Sequence, residues 1–140
     1  MDSTLILFAL TNVVVGVAFI LLAGLLPEPW RQRSMAMLVG FGSGLYWEGA
    51  LGGWEYLPML AGLALALLGL RWYPAIGLAW LVHTANDIAH HAYGDPLLAS
   101  IPLSSFGCAV FDPVIAIWFF AGAPDLIGTV RRRRARSMAA

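Results

Sequence analysis

The chain has 140 residues, of which 60% are hydrophobic and 11% charged. A soluble domain has roughly 25% charged and 45–50% apolar residues, so the composition argues against a soluble domain and excludes a disordered chain. Eight arginines balance eight acidic residues, and this net charge of zero gives no basic excess that would indicate a nucleic-acid partner. The single cysteine cannot form an internal disulfide. The composition therefore predicts an integral membrane protein, with residues 1–140 as one domain.

Apolar segments predict five membrane helices, each of which ideally needs about 20 residues. The predicted segments are 5–26, 35–51, 57–70, 74–92 and 104–127. Pro27 and Pro29 end the first segment, because proline breaks helices. Pro74 begins the fourth segment, and the arginine-rich stretch at 131–136 stops the fifth. The predicted fold class is an all-α bundle of five transmembrane helices.

The arginines predict how this bundle lies in the membrane. With the N-terminus outside, Arg31, Arg33, Arg71 and the five arginines of 131–136 all face the cytoplasm. Cytoplasmic loops carry an excess of basic residues in membrane proteins, so this orientation satisfies the positive-inside rule completely. We therefore expect a multi-pass protein of the inner or plasma membrane, with the C-terminus in the cytoplasm and membrane lipids as its surroundings.

Ionisable residues inside the predicted helices are costly and are therefore candidates for function. Four of them share one face, about 100° wide, of the fourth helix: His83, Asp87, His90 and His91. Cys108 and Asp112 share a face of the fifth helix. At 1.5 Å per residue, His83 lies roughly 13 Å from the outer end of its helix and Asp112 roughly 12 Å from that of its own. The two faces are therefore expected to meet in the outer half of the membrane.

These residue types at helical spacing are typical of a metal site. Zinc binds histidine and carboxylate ligands, and a catalytic zinc site keeps three protein ligands and one open position for water. The fourth helix would supply His83, Asp87 and either His90 or His91, and the fifth helix would supply Asp112 or Cys108. Glu48, near the outer end of the second helix, is placed to act as the general base.

The leading hypothesis is a zinc-dependent, hydrolase-like membrane enzyme that takes an amphipathic or lipid-like substrate from the outer half of the bilayer. One alternative is a metal-free isomerase or cyclase in which Asp87, Asp112 and Glu48 move protons as catalytic groups. Another is a non-catalytic protein that binds a metal ion or a proton. A copper site that uses Cys108 and two histidines is also left open.

A Gly-x-x-x-Gly pair in the second segment, Gly40 and Gly44, permits the close approach of another helix. Packing within one subunit is the preferred interpretation, and a homo-oligomer is the alternative.

Three stretches carry a resemblance to a known family: LPEPWRQR at 26–33, WLVHTANDIAHHAYGDP at 80–96, and SSFGCAVFDPVIAIWFFAGAP at 104–124. Over most of its length the chain resembles an uncharacterised family of small integral membrane proteins of unknown function that is found in microbes. The resemblance implies an integral membrane fold and leaves the chemistry to the residues themselves.

Overall fold

The structure is a computed structural model that describes residues 3–94, 96–98 and 100–138, with backbone only for 131–136. Those residues form six α-helices: α1 (Ser3–Ala23), α2 (Trp30–Gly44), α3 (Tyr56–Gly69), α4 (Tyr73–Tyr93), α5 (Ser104–Phe120) and α6 (Leu126–Met138). Two short 3-10 turns, Leu45–Glu48 and Gly53–Glu55, connect α2 to α3. The described residues contain no β-strand. The all-α prediction is therefore confirmed.

The second and fifth helices differ most from the predicted segments. Helix α2 begins directly after Pro29 and so includes the arginines that the prediction placed before the helix. It is followed by a 3-10 turn that Gly49 closes in the left-handed conformation (φ 60°), which glycine adopts without steric cost. The predicted segment 104–127 is divided, because Gly122 (φ 79°) and Ala123 (φ 48°) turn the chain after α5. A separate helix, α6, therefore carries the arginine-rich stretch.

One helix within the described part of the chain, α1, is both long and apolar enough to cross a membrane. Its apolar side chains are mostly exposed, among them Leu7, Val14 and Leu22. Gly53–Gly69 and Ser104–Phe120 are also apolar but shorter. The structure therefore has one clear candidate for a membrane span, at its N-terminal end.

Helix α4 lies in the middle of the packing. It contacts α5 on one side and α3 on the other, while α1 packs on α5 and α2 packs on α3. The contact between α4 and α5 is close at Gly77, where a Cβ atom would lie 3.0 Å from the carbonyl oxygen of Ala116. Small residues at such contacts allow helix backbones to approach each other. This close contact joins the second turn of α4 to the C-terminal half of α5.

A polar cluster fixes the end of the bundle where α2 and α4 begin. The Arg31 guanidinium donates hydrogen bonds to Glu28 Oε1 (2.6 and 2.9 Å) and to the carbonyl oxygen of Gly24 (3.0 Å). Tyr73 Oη donates to the same Glu28 oxygen at 2.6 Å. Burial works to raise the pKa of Glu28, but the hydrogen bonds from Tyr73 and Arg31 outweigh it and hold this pKa below its usual range. The cluster ties the loop before α2 to the start of α4.

Candidate metal centre

Three buried ionisable side chains from two helices lie together in the interior. His83 and Asp87 stand one turn apart on α4, and Asp112 projects from α5. His83 Nε2 lies 3.6 Å from Asp87 Oδ2 and 4.0 Å from Asp112 Oδ2. One ligand atom from each of the three residues lies within 4.8 Å of the other two. We call His83, Asp87 and Asp112 the inner triad.

The inner triad contains polar atoms whose hydrogen-bonding capacity is not used. Tyr46 Oη donates a 2.7 Å hydrogen bond to Asp87 Oδ1. In the described part of the chain, Asp87 Oδ2, Asp112 Oδ2 and His83 Nδ1 have no hydrogen-bond partner. Buried polar atoms are nearly always paired, and an unpaired buried carboxylate is costly, so a proton or a cation must compensate these oxygens.

The spacing of the inner triad fits a divalent metal ion. Nitrogen and oxygen ligands bind zinc at about 2.0–2.2 Å, which places two ligands of a tetrahedral site about 3.3–3.6 Å apart. The distances of 3.6 and 4.0 Å from His83 Nε2 to the two carboxylate oxygens are close to this range. An ion among these atoms would give both carboxylates the charge compensation that they lack.

A second polar pair lies nearer the end of α4, where His90 Nε2 contacts Glu55 Oε1. Glu55 is completely buried, and its other oxygen accepts a 2.8 Å hydrogen bond from the backbone N–H of Leu51. The Tyr46 ring connects this pair to the inner triad, because its centroid lies 5.0 Å from that of His83 and 5.1 Å from that of His90. His90, which was predicted as a metal ligand, therefore pairs with a carboxylate from outside the predicted helices.

A cavity of about 150 Å³ adjoins this second pair. We call it the outer cavity; its side-chain lining includes Tyr46, Glu48, Glu55, His90, Pro96 and Leu97. The loop that carries Leu97 is held to the start of α5, since the N–H groups of Leu97 and Leu98 donate to Ser105 Oγ and Ser104 Oγ at 2.8 and 2.9 Å. The outer cavity therefore has a wall that is fixed by hydrogen bonds.

The remaining predicted site residues lie outside the inner triad. Glu48 is exposed and lines the outer cavity. His91 is exposed, with its ring centroid 5.2 Å from that of Phe106. Cys108 is partly buried on α5, one turn before Asp112. Of the residues predicted from shared helix faces, the structure thus brings His83, Asp87 and Asp112 together and places Glu48, His91 and Cys108 outside this triad.

Sequence reasoning missed two residues, Tyr46 and Glu55. Glu55 offered a signal, because it is an acidic residue at the same predicted end of the bundle as His90. Tyr46 offered none, since an aromatic residue in an apolar segment is usually a packing residue.

Comparison with known proteins gives a family and no function. No curated protein and no solved structure matches the chain. One family model, described as a family of unknown function (DUF6010), matches residues 7–125, which include the inner triad and the outer cavity. The match agrees with the resemblance of the sequence to an uncharacterised family. The chain belongs to this family of unknown function, DUF6010.

Proposed function

We propose that the chain is a multi-pass membrane enzyme that holds a zinc ion at the inner triad and hydrolyses an amphipathic or lipid-like substrate. The observation that carries this proposal is the pair of buried carboxylate oxygens, Asp87 Oδ2 and Asp112 Oδ2, which face His83 and have no hydrogen-bond partner in the described chain. The proposal has a membrane part and a chemical part.

Exposed apolar side chains on every one of the first five helices support the membrane part. Beyond α1, the large exposed hydrophobic residues include Met37, Phe41, Leu57, Leu67, Ile88 and Ile117. Soluble monomers seldom expose large contiguous apolar patches, and a patch of this kind indicates a membrane or a partner surface. The helix lengths also fit, because α4 has 21 residues and α5 and Gly53–Gly69 have 17 each, within the range of about 17–25 that membrane helices use.

The membrane part predicts on which side of the membrane the loop before α5 and the C-terminus lie. Alkaline phosphatase is active only outside the cytoplasm, so a fusion after Ala140 is expected to be inactive and a fusion after Pro102 to be active. The reason is that all eight arginines face the cytoplasm when the bundle has five spans and its N-terminus lies outside. Phosphatase activity in the fusion after Ala140 would contradict the five-span orientation.

The chemical part follows from the donor set. One imidazole and two carboxylates would give a zinc ion three protein ligands and leave a fourth position for water, whose lowered pKa would supply a nucleophile for the hydrolysis of a carbonyl or ester bond. The hydrogen bond from Tyr46 to Asp87 Oδ1 fixes that carboxylate and leaves Oδ2 directed toward the ion. The copper alternative requires Cys108 and a second histidine, and neither belongs to the inner triad, so zinc is the proposed ion. Glu48 lines the outer cavity and is not a member of the inner triad, so we assign it to substrate binding and not to the general base that the sequence predicted.

Elemental analysis tests the chemical part directly. Protein extracted in a nonionic detergent without added metal is expected to carry about one equivalent of zinc, which a strong chelator removes. Copper in place of zinc would move the proposal to the copper alternative. A chain with no transition metal before and after incubation with zinc would contradict the metal site.

The Tyr46–Asp87 hydrogen bond also favours a second candidate, metal-free acid–base catalysis. Two carboxyl groups close to each other can share one proton, as in the aspartic proteases, and Tyr46 would stabilise the ionised member of the pair. In that case the chain would catalyse an isomerisation or a cyclisation. The two candidates differ in one respect that is easily measured, because only the zinc enzyme loses activity when it is treated with a chelator and regains it with zinc.

A further inference from the structure

The outer cavity has a composition that selects the charge of its ligand. Its polar side chains include two glutamates, Glu48 and Glu55, and one histidine, His90. Glu55 is already engaged, because His90 and the N–H of Leu51 occupy its two oxygens. Glu48 is exposed, and within the described chain it forms no ion pair. The carboxylate that a ligand would meet is therefore that of Glu48.

Among the residues whose side chains the structure describes, no arginine is placed to reverse this negative charge. All basic residues are arginines, at positions 31, 33, 71, 131–134 and 136. Arg31 and Arg33 lie at the start of α2 and Arg71 lies directly before α4, whereas the outer cavity lies at the opposite ends of these two helices. A phosphate or carboxylate group would therefore meet like charge without a compensating cation, which costs binding free energy, and an ammonium group would meet an attractive charge.

The apolar side of the outer cavity continues onto the surface of the bundle. Leu45 lines the cavity and is 42% exposed. Phe41 and Met37, each 71% exposed, lie four and eight residues earlier on α2. Residues at this spacing share one face of a helix, so an exposed apolar track leads from the cavity along α2. An alkyl chain whose polar end occupies the cavity can lie on this track.

We infer that the outer cavity binds the ammonium headgroup of a long-chain amphiphile whose ester or amide bond the enzyme hydrolyses, with the Glu48 carboxylate as the partner of the headgroup and the Leu45–Phe41–Met37 face as the path of the alkyl chain. This inference rests on the proposed function, because it names the substrate class of the same enzyme. A cavity of about 150 Å³ has room for several water-sized groups, which suits a small headgroup and excludes a bulky one. Tyr46 lines the cavity and bonds Asp87, so a bound headgroup lies one side chain from the inner triad.

Three probes with the same alkyl chain test this inference: dodecylamine, dodecanol and dodecyl phosphate. The protein is held in nanodiscs of neutral phosphatidylcholine after treatment with a chelator, and the dissociation constant of each probe is measured by calorimetry. Dodecylamine, which is protonated at pH 7, is expected to bind at least about tenfold more tightly than the other two, as a hydrogen bond to a charged group allows.

Two variants that each replace a glutamate by glutamine test whether the amine binds in the outer cavity. Glu48→Gln is expected to weaken dodecylamine binding about tenfold, whereas Glu28→Gln, at the opposite end of α2, leaves it unchanged. Equal binding of dodecyl phosphate or dodecanol, or an unchanged dissociation constant in Glu48→Gln, would overturn the inference.

The zinc content of each preparation, measured before the chelator treatment and again after incubation with zinc, separates this inference from the proposed function. Zinc retention without selectivity for the amine contradicts the cavity assignment alone. Selective amine binding by a chain that takes up no zinc supports the cavity assignment and contradicts the zinc enzyme.

Discussion

Replacing Asp87 or Asp112 by asparagine is expected to lower the affinity for zinc by more than about 100-fold. Loss of a partner outside the ligand shell already costs roughly 10–100-fold in metal affinity, and these substitutions remove a charged ligand itself. Asparagine keeps the size of the side chain, so the buried contact between α4 and α5 is retained. The measurement is the zinc dissociation constant of each variant, determined in detergent against a competing chelator.

Three further variants show how much each neighbouring side chain contributes to the zinc affinity. His83→Gln removes the imidazole ligand and is expected to match the aspartate variants. Tyr46→Phe removes the hydroxyl that donates to Asp87 Oδ1 and is expected to weaken zinc binding by about 10–100-fold. Cys108→Ser is the control, because the Cys108 thiol lies outside the inner triad. Wild-type zinc affinity in both aspartate variants would contradict the site.

The free energy of unfolding of the same variants, measured with and without zinc, provides a second and independent test of the site. Zinc at 100 times its dissociation constant stabilises the wild type by about 2.7 kcal/mol, and the asparagine variants lack this gain. Without zinc the order is reversed, because each variant buries one unpaired carboxylate fewer and is expected to be at least as stable as the wild type. A variant that is less stable than the wild type in the chelator as well would indicate damage to the fold.

The inner triad could be predicted from the sequence because regular helix geometry determines it. Residues four positions apart share a helix face, so His83 and Asp87 lie one turn apart on the same face of the fourth helix. A short connection favours antiparallel neighbours, which brings the fifth helix against the fourth. These two rules and the depth of each residue along its helix predict that His83 and Asp112 are neighbours, and His83 Nε2 lies 4.0 Å from Asp112 Oδ2.

The Glu55–His90 pair could not be predicted because irregular backbone positions it. Glu55 belongs to a 3-10 turn between Gly52 (φ 115°) and α3, and the path of this turn depends on two glycines with positive φ. Such conformations let the chain fold back toward α4, but hydrophobic periodicity contains no information about their direction. The same limit explains why the predicted segment 104–127 did not end at the turn after α5, since a count of apolar residues does not detect the turn at Gly122.

Replacing Gly77 by valine is expected to destabilise the protein by about 1–3 kcal/mol, because the new side chain has no room. A Cβ atom at this position would lie 3.0 Å from the Ala116 carbonyl oxygen and 3.0 Å from the Phe120 ring. The Ala116 oxygen belongs to the backbone of α5 and cannot rotate away, so α4 and α5 must move apart. The measurement is the free energy of unfolding in detergent, with and without zinc.

Separation of the two helices also alters the inner triad, whose members lie close to this contact in the sequence. His83 follows Gly77 by six residues on α4, and Asp112 precedes Ala116 by four on α5. A displacement of one helix lengthens the distance between the two ligands, so Gly77→Val is expected to lose zinc affinity although it changes no ligand. Gly44→Ala is the matched control, because a Cβ atom there meets nothing within 4 Å and alanine favours a helix over glycine by up to about 1 kcal/mol. Stability and zinc affinity that remain at the wild-type level in Gly77→Val would show that the close approach of α4 and α5 does not hold the site together.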